Sequence, residues 1–307
     1  MSESTKLIGQ MIAERYEVKS FINEGGMQEV YLAEDQLLRR FVALKVPKNK
    51  HALKRFRRSA VVSARVNHSN VAKTLGYIEA HDRSFFIEEH IEGKDLGFLL
   101  KHNFRSFDPL WVCKIVHRLA KGIAASHHVG VVHRDLKPSN IMSVDGPFVS
   151  EIKITDFGIA KMVEDELGEA IEGGDESLTA SQTAIGALPY MAPELIHDIK
   201  NADKPADIWS LGALTYELVT GAKPFGTGLK AVPAILAAKV PSYSQPQSRK
   251  TQFSSAFKDI MNIVHSCIVA SPSARPSADE VVSMCESLCY PIETREFGRI
   301  SKFDNPS

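Results

Sequence analysis

The amino-acid sequence lacks an excess of charge of either sign. Lys plus Arg and Asp plus Glu both number 37, so the formal net charge is zero. A chain with this balance has no general attraction for nucleic acid or for an anionic membrane surface, and we expect neither as a partner. Any electrostatic steering of a ligand must therefore come from local patches of charge.

Long apolar runs and paired cysteine motifs are also missing. No run approaches the roughly 20 apolar residues that a membrane helix requires, and the polar stretch from Met1 to Gly9 does not have the apolar segment of a secretory signal. The four cysteines show neither the Cys-x-x-Cys pairs nor the histidine partners of a zinc site. We therefore expect a cytoplasmic protein without a membrane span, in which the cysteines are packing residues.

Hydrophobic periodicity divides the 307 residues into two regions. Short β-rich runs alternate with one helical stretch, from His51 to Val66, until about Ile91. After Gly93 the periods are helical, for instance from Leu110 to His128. The chain is therefore predicted to be an α+β protein with an N-terminal extension (1–15), a small β-rich lobe with one main helix (16–92), a larger helical lobe (93–290) and a C-terminal tail (291–307).

The most informative stretch is the loop from Gly130 to Asn140 (GVVHRDLKPSN), which contains an acid, a base and an amide. Asp135 has the chemistry to accept a hydroxyl proton, Lys137 to neutralise a phosphate, and Asn140 to hold a metal ion. Asp156, in an Asp-Phe-Gly triplet, follows 156 − 135 = 21 residues later and would supply a second metal ligand. This order of groups is suited to phosphoryl transfer.

With these motifs, residues 16–290 resemble a protein kinase domain of the bacterial serine/threonine type. The Leu-Lys-Pro-Ser-Asn form of the loop is typical of serine/threonine kinases. Ala192-Pro193-Glu194 resembles the end of the activation segment, Arg275 its salt-bridge partner, and Asp207 the aspartate below the catalytic loop. The resemblance implies a two-lobed kinase fold and a peptide or protein substrate.

The resemblance also implies an ATP site between the lobes. Lys45 would grip the α and β phosphates and join Asp135 and Lys137 as catalytic residues, while Asn140 and Asp156 would hold Mg²⁺, with Mn²⁺ as the alternative ion. Gly25 and Gly26 would let the phosphates approach the backbone, although Asn23 and Gln28 replace two further glycines of the family motif. The residues expected to contact the nucleotide, besides Lys45, are Ile22, Asn23, Glu24, Gly25, Gly26, Met27, Gln28, Val30, Ala43, Glu88, Glu89, Ile91 and Met142.

One departure from the family pattern concerns the partner of Lys45. Kinases pair this lysine with a glutamate on the helix of the small lobe, but here Ser59 occupies that place and no Asp or Glu occurs between Asp35 and Glu79. Glu88 stands at the gatekeeper position, which is normally apolar. We hypothesise that it replaces the helix glutamate, because an isolated buried charge is costly. The alternative is a strand register shifted by one residue, with Glu88 exposed.

Two further features bear on activity. Ala187 stands where serine/threonine kinases have a threonine that bonds the catalytic aspartate and lysine, and this loss predicts reduced activity. Thr179, Ser181 and Thr183 lie in an acidic, hydroxyl-rich segment where family members are commonly phosphorylated, with Arg134 as a partner for the added phosphate. An unmodified polar loop is the alternative.

We therefore expect an ATP-dependent serine/threonine protein kinase that modifies proteins, including itself through transient self-association. The alternative is a pseudokinase, an ATP-binding or scaffolding module. The complete set of catalytic and metal-binding residues favours the enzyme, whereas Ser59, Ala187 and the shortened glycine motif favour the alternative. A small-molecule phosphotransferase is disfavoured by Lys137 and by the Glu194 and Arg275 pattern.

Overall fold

A six-stranded antiparallel sheet forms the small lobe. The computed structural model describes residues 7–24, 28–48, 53–80, 83–102, 108–144, 151–157, 186–197, 203–243 and 254–288. The strands occur in the spatial order β1-β2-β3-β4-β6-β5. Their bounds are β1 (Met11–Ile12), β2 (Tyr16–Glu24), β3 (Gln28–Asp35), β4 (Arg40–Pro47), β5 (Thr74–Ala80) and β6 (Arg83–Glu89). Because neighbouring side chains on a strand face opposite sides, one face of the sheet is apolar and forms the core of this lobe.

Helix α1 (Leu53–Ser63) covers part of this sheet and lies within the predicted helical stretch. Phe56 and Ala60 are one helical turn apart and pack against Phe86 of β6, with the two phenyl rings edge-on at 6.0 Å. Ser63, at the end of the helix, donates a hydrogen bond of 2.7 Å to the carbonyl of Phe157. The helix is therefore tied both to the sheet and to the Asp-Phe-Gly segment of the large lobe.

The prediction that residues 1–15 lie outside the packed core is wrong for residues 7–15, which are the described part of that segment. Leu7 and Ile12 are buried in the core of the small lobe, and β1 pairs with β2. The Arg15 guanidinium bonds both carboxylate oxygens of Asp35, at 2.8 and 2.7 Å. This contact lowers the pKa of Asp35 to about 2. Strand β1 is only two residues long, which is too short to show a strand periodicity, so the pairing is not visible in the sequence.

The large lobe is mainly helical, and the predicted two-lobed α+β architecture is confirmed. Asp108 caps the long helix that begins at Pro109, because its side chain accepts a 2.8 Å hydrogen bond from Leu110 N. The three described cysteines, Cys113, Cys267 and Cys285, are buried free thiols, as expected of packing residues, whereas Cys289 lies outside the described residues. The helices are α2 (Leu96–His102), α3 (Pro109–His128), α4 (Pro193–His197), α5 (Pro205–Thr220), α6 (Val232–Leu236), α7 (Ser254–Cys267) and α8 (278–288).

Helix α5 forms the centre of this lobe. Every residue from Ala206 to Thr220 is buried, and Trp209 stacks on Phe225 with ring centroids 5.5 Å apart. A helix that is apolar on all sides is stable only when other elements surround it, and α5 contacts both α3 and α7. In the described ranges, no helix combines the length and apolarity that crossing a bilayer requires.

The chain passes between the lobes at Gly93, next to a three-stranded sheet of order β7-β8-β9. These strands are β7 (Lys94–Asp95), β8 (Ile141–Ser143) and β9 (Ile152–Ile154). A Cβ atom at Gly93 would lie 2.0 Å from the carbonyl oxygen of Ser143. The junction therefore requires glycine, because any side chain would collide with the backbone of β8.

Replacement of Gly93 by alanine tests this packing. We expect Gly93→Ala to lower the free energy of unfolding in urea by about 1–3 kcal/mol, since the clash with Ser143 forces the backbone to move. Gly76→Ala is the matched control, because its new Cβ would be 3.8 Å from the nearest atom, Ile87 Cδ1. Equal stabilities of the two variants would contradict the close approach at the junction.

Candidate active site

A cavity of about 440 Å³ lies between the two lobes. Of the predicted nucleotide-binding and metal-binding residues, those that line it are Ile22, Asn23, Val30, Ala43, Lys45, Glu88, Glu89, Ile91, Met142 and Asp156. Glu24 is not part of the lining; its exposed carboxylate is 3.5 Å from the ammonium of Lys48. Gly25, Gly26 and Met27 lie outside the described residues, so the predicted glycine motif stays a prediction.

The cavity also has lining residues that the sequence did not single out. His90, Glu92 and Gly93 belong to the segment between the lobes and are neighbours of predicted residues, so their position in the chain could have identified them. Thr155 likewise precedes the predicted residue Asp156. Phe98 on α2 reaches the cavity only because the large lobe folds back against this segment, so tertiary packing alone places its side chain.

Lys45 and Glu88 form a buried ion pair at the back of the cavity. Strands β4 and β6 pair Ala43 with Glu88 and Lys45 with Phe86, so Lys45 and Glu88 are diagonal neighbours on one face of the sheet. The Lys45 ammonium is 2.5 Å from Glu88 Oε2, and the two residues are 3% and 4% exposed. The predicted contact is present, and the alternative register with an exposed Glu88 is wrong.

Asp156 completes a cluster of three charges around the Lys45 ammonium. Asp156 Oδ1 is 2.8 Å from the ammonium of Lys45, and it also accepts a 2.9 Å hydrogen bond from the amide of Gln28. Asp156 has a left-handed backbone with φ of 64°, which is rare for a residue other than glycine and is typical of functional sites. The segment before Phe157 thus turns the carboxylate toward the lysine.

The cluster holds one cation and two carboxylates, and burial together with their mutual interactions shifts the pKa values of all three groups. Burial raises the pKa of Glu88 to about 7, an effect that the attraction of Lys45 offsets only in part and that Asp156 increases. Burial would also raise the pKa of Asp156, but the charge of Lys45 and the bonds from Lys45 and Gln28 outweigh it and lower that pKa. Burial acts to lower the pKa of Lys45, yet the two carboxylates together raise it. Glu88 is therefore the group of the three that takes up a proton first.

Gln28 is a buried side chain at one of the replaced glycine positions. It is 8% exposed, and its Oε1 atom has no hydrogen-bond partner among the described residues. A buried carbonyl oxygen without a partner is costly, which makes this atom available to a ligand that enters the cavity beside Asp156. The sequence predicted that Gln28 contacts the nucleotide. Gln28 is not among the described residues that line the cavity, and its bond to Asp156 was not predicted.

The catalytic loop brings the remaining predicted residues together. Lys137 Nζ contacts both carboxylate oxygens of Asp135, at 3.0 and 2.8 Å. A short 3₁₀ turn, Pro138–Asn140, directs the Asn140 amide back to Asp135, where it donates to the backbone carbonyl at 2.8 Å and to the carboxylate at 3.0 Å. The Asn140 oxygen accepts a 3.5 Å contact from Ser139 Oγ. One carboxylate, one ammonium and one amide oxygen thus lie within a single turn of chain.

Asp207 of α5 supports this loop from beneath, as the resemblance implied. Its carboxylate accepts hydrogen bonds from the backbone of His133 at 2.8 Å and of Arg134 at 2.6 Å, and it contacts His127 Nε2 at 2.8 Å. Burial would raise the pKa of Asp207, but the bond to His127 and the other contacts outweigh it and lower the pKa. His127 is buried, and its contact with Asp207 was not indicated by the sequence.

His133 links the catalytic loop to the Asp-Phe-Gly segment. Its Nε2 atom is 2.9 Å from the carbonyl oxygen of Thr155, and its ring meets that of Phe157 edge-on at 4.5 Å. The position of Asp156 is therefore set from both sides, by Thr155 and Phe157. No sequence signal beyond its place in the loop distinguished His133.

The predicted ion pair between Glu194 and Arg275 is present. Arg275 bonds both carboxylate oxygens of Glu194, at 2.6 and 2.8 Å, and its guanidinium lies 5.0 Å from the centroid of the Trp209 ring.

Ala187 is buried in the core of the large lobe, so its methyl group packs where the family has a threonine. Thr179, Ser181 and Thr183 lie outside the described residues.

Comparisons with known proteins agree with this geometry. A family model described as protein kinase domain matches residues 16–285. The probable serine/threonine-protein kinase PknB of Corynebacterium glutamicum is 34% identical over 224 residues, which are 70% of this chain and 33% of that relative. The serine/threonine-protein kinase PrkC of Bacillus subtilis is 34% identical over 224 residues, covering 71% of this chain and 32% of the relative. The chain therefore spans about a third of the length of these two relatives.

A third relative is similar over more of the chain. Serine/threonine-protein kinase A of Synechocystis sp. is 29% identical over 293 residues, which are 89% of this chain and 53% of that protein. The similarity extends over both lobes and the cavity between them.

The raised pKa of Glu88 predicts how stability depends on pH. Between the ordinary pKa of 4.5 and a pKa of about 7, the folded protein keeps a proton on Glu88 that the unfolded chain has lost. The protonated carboxyl therefore stabilises the folded state. This stabilisation is complete below the pKa of Glu88 in the unfolded chain and is lost as the pH rises through its pKa in the folded protein. The free energy of unfolding of the wild type should fall relative to that of Glu88→Gln by up to about 3 kcal/mol between pH of about 5 and 8.

Urea unfolding at a series of pH values measures this difference. Glu286→Gln is the matched control, because Glu286 has an exposed carboxylate, and its stability should run parallel to that of the wild type. A constant difference between wild type and Glu88→Gln across this pH range would show that Glu88 titrates at its ordinary pKa.

Proposed function

The chain belongs to the protein kinase family, and on that premise we propose that it is an ATP-dependent serine/threonine kinase that phosphorylates proteins, including itself. The observation that carries this proposal is the contact between Lys45 and Asp156 in the cleft, next to the loop in which Asn140 contacts Asp135 and Ser139 lines the same cleft. Apart from Ser139, each of these side chains matches a group that phosphoryl transfer requires. The names of the three relatives support the same reaction class.

Nucleotide binding is supported by the shape and the lining of the cavity. Ile22, Val30, Ala43 and Met142 provide apolar side chains from both lobes, which suit the two faces of an adenine ring. The backbone of Glu89 and Ile91 lies along the segment between the lobes, where it would bond the edge of the base. Lys45 would then turn its ammonium from Asp156 toward the phosphates.

The residues near Asp135 account for the transfer step. Asp135 would accept the proton of the acceptor Ser or Thr hydroxyl as its oxygen attacks the γ-phosphorus and the bond from that phosphorus to the β-phosphate oxygen breaks. Lys137, which already contacts Asp135, would neutralise charge on the phosphoryl group. The leaving group is the nucleoside diphosphate, and Lys45 would balance the negative charge that develops on its phosphates.

The site also fits a divalent cation. Asp156 offers a carboxylate and Asn140 an amide oxygen, both hard ligands of the kind that Mg²⁺ prefers. The described residues contain no group of three or more His, Cys, Asp or Glu suited to a metal, so such an ion would take further oxygens from the phosphates and from water. Mg²⁺ held in this way supplies positive charge next to the phosphate oxygens, and Mn²⁺ is the alternative ion.

Substitution of the proposed base tests the reaction. With ATP labelled at the γ-phosphate, we expect wild-type protein to incorporate label into itself and into a protein substrate. Asp135→Asn should reduce the rate by roughly 10²- to 10⁴-fold, because the amide cannot accept the hydroxyl proton. Asp279→Asn is the matched control, because Asp279 is exposed and pairs with His128 rather than with a residue of the site. This variant should incorporate as much label as the wild type.

One specific observation favours the pseudokinase as the second candidate. In the structure both Lys45 and Gln28 engage Oδ1 of Asp156, whose carboxylate would bind the cation, and Ala187 replaces the usual threonine. If neither wild type nor Asp135→Asn incorporates label while both bind ATP, the protein is a nucleotide-binding module. Equal incorporation by both proteins would exclude Asp135 as the base.

Glu88 gives a second test of the site. We expect Glu88→Gln to weaken nucleotide binding and slow turnover by about tenfold each, because Lys45 loses one of the two carboxylates that orient it. Fluorescent ATP titration and label incorporation measure the two effects. Glu286→Gln should change neither, and Glu88→Asp should recover part of the loss because it keeps the charge. Unchanged affinity and turnover in Glu88→Gln would refute the idea that Glu88 replaces the helix glutamate.

A further inference from the structure

A second groove, of about 600 Å³, adjoins the catalytic loop on the large lobe. Lys137, Pro138 and Ser139 form the wall nearest to Asp135, while helix α2 contributes Leu100 and Lys101. Ser139 also lines the nucleotide cavity, so the groove and the cavity meet at the catalytic loop. A peptide held in this groove would place a residue beside Asp135.

The charged side chains of this groove are mostly cationic. Three lysines line it, namely Lys101, Lys137 and Lys223, and Glu217 is the single acid among its described lining residues. Lys137 is balanced by Asp135 at 2.8 Å. Lys101 is exposed on the last turn of α2, and Lys223 is half-buried. Among the described lining residues, these two lysines therefore dominate the charge that an incoming peptide meets.

Glu217 does not offset this charge for a ligand, because its carboxylate is already engaged. The Tyr190 hydroxyl donates a hydrogen bond to Glu217 Oε2, and both residues are buried. The Lys223 ammonium lies 5.7 Å from the centroid of the Tyr190 ring. Burial raises the pKa of Glu217, which Tyr190 and Lys223 offset only in part. A basic side chain of a substrate would have to break the Tyr190 bond and approach Lys223 in order to reach this carboxylate.

We propose that this groove binds the acceptor segment of the protein substrate and selects segments with Asp or Glu beside the acceptor Ser or Thr. The proposal deepens the kinase function proposed above and names the substrate class as acidic peptides. Carboxylates near the acceptor would pair with Lys101 and Lys223, whereas Lys or Arg at the same places would be repelled.

Binding of peptides that cannot be phosphorylated tests the selectivity without relying on catalysis. Three labelled peptides share one sequence with Ala at the acceptor position and carry Glu, Gln or Lys on both sides of it. Fluorescence anisotropy with the full chain should show the Glu peptide binding about tenfold more tightly than the Lys peptide. Raising the salt concentration should reduce this difference, because exposed charges are screened.

Charge reversal in the groove identifies the residues responsible. The variant carrying both Lys101→Glu and Lys223→Glu should lose the preference for the Glu peptide or reverse it. Lys258→Glu on α7 is the matched control, since Lys258 is exposed and does not line the groove, and it should keep the preference. A preference that survives in the double variant, or a wild type that binds the Lys peptide equally well, overturns the proposal.

Peptides with Ser at the acceptor position separate this inference from the kinase function. Label transfer to the Glu peptide with a lower KM than for the Lys peptide supports both proposals. Selective binding without label transfer to any peptide sustains the groove and refutes the kinase activity. Label transfer at equal KM to all three peptides sustains the kinase and refutes the selectivity of the groove.

Discussion

The buried contact between Lys45 and Glu88 is the interaction on which the arrangement of the cleft depends. An ammonium and a carboxylate that are each almost fully buried would be costly to remove from water singly, and here they lie 2.5 Å apart on neighbouring strands of one sheet. Asp156 reaches the same ammonium from the large lobe. One lysine therefore joins a strand of the small lobe to the Asp-Phe-Gly turn of the large lobe.

This arrangement changes the role of helix α1. In the family pattern the helix carries the partner of the lysine, so movement of the helix controls the pair. Here the partner belongs to β6, which is hydrogen-bonded to the strand of Lys45, and the pair does not depend on where the helix lies. The helix keeps a different link to the site, through the bond from Ser63 to the backbone of Phe157. An acid at the back of the cleft also carries a cost, because burial and, to a smaller extent, the charge of Asp156 raise the pKa of Glu88.

In the large lobe, hydrogen bonds from buried side chains hold the polar catalytic loop in place. Asp207 satisfies two backbone N–H groups of the catalytic loop and also contacts His127. His133 connects that loop to the carbonyl of Thr155. These bonds come from buried parts of the large lobe. They position Asp135 and Asp156 even though the two side chains need not contact each other. Preorganised charges of this kind are what phosphoryl transfer needs, because the reaction is accelerated mainly by position and electrostatics.

The sequence by itself determined the family, the two-lobed architecture and the identity of the chemical groups, because the motifs are local and their order along the chain is specific. It also indicated that Lys45 lacks a helix partner, since an absence of acids between Asp35 and Glu79 is visible without a structure. It did not show that residues 7–15 pack in the small lobe, or that Phe98 lines the cleft, because these contacts join segments distant in sequence and leave no periodic signal. Only the tertiary structure decided that Glu88 points inward to Lys45 rather than outward to water, because a strand register that differs by one residue moves every side chain to the opposite face of the sheet.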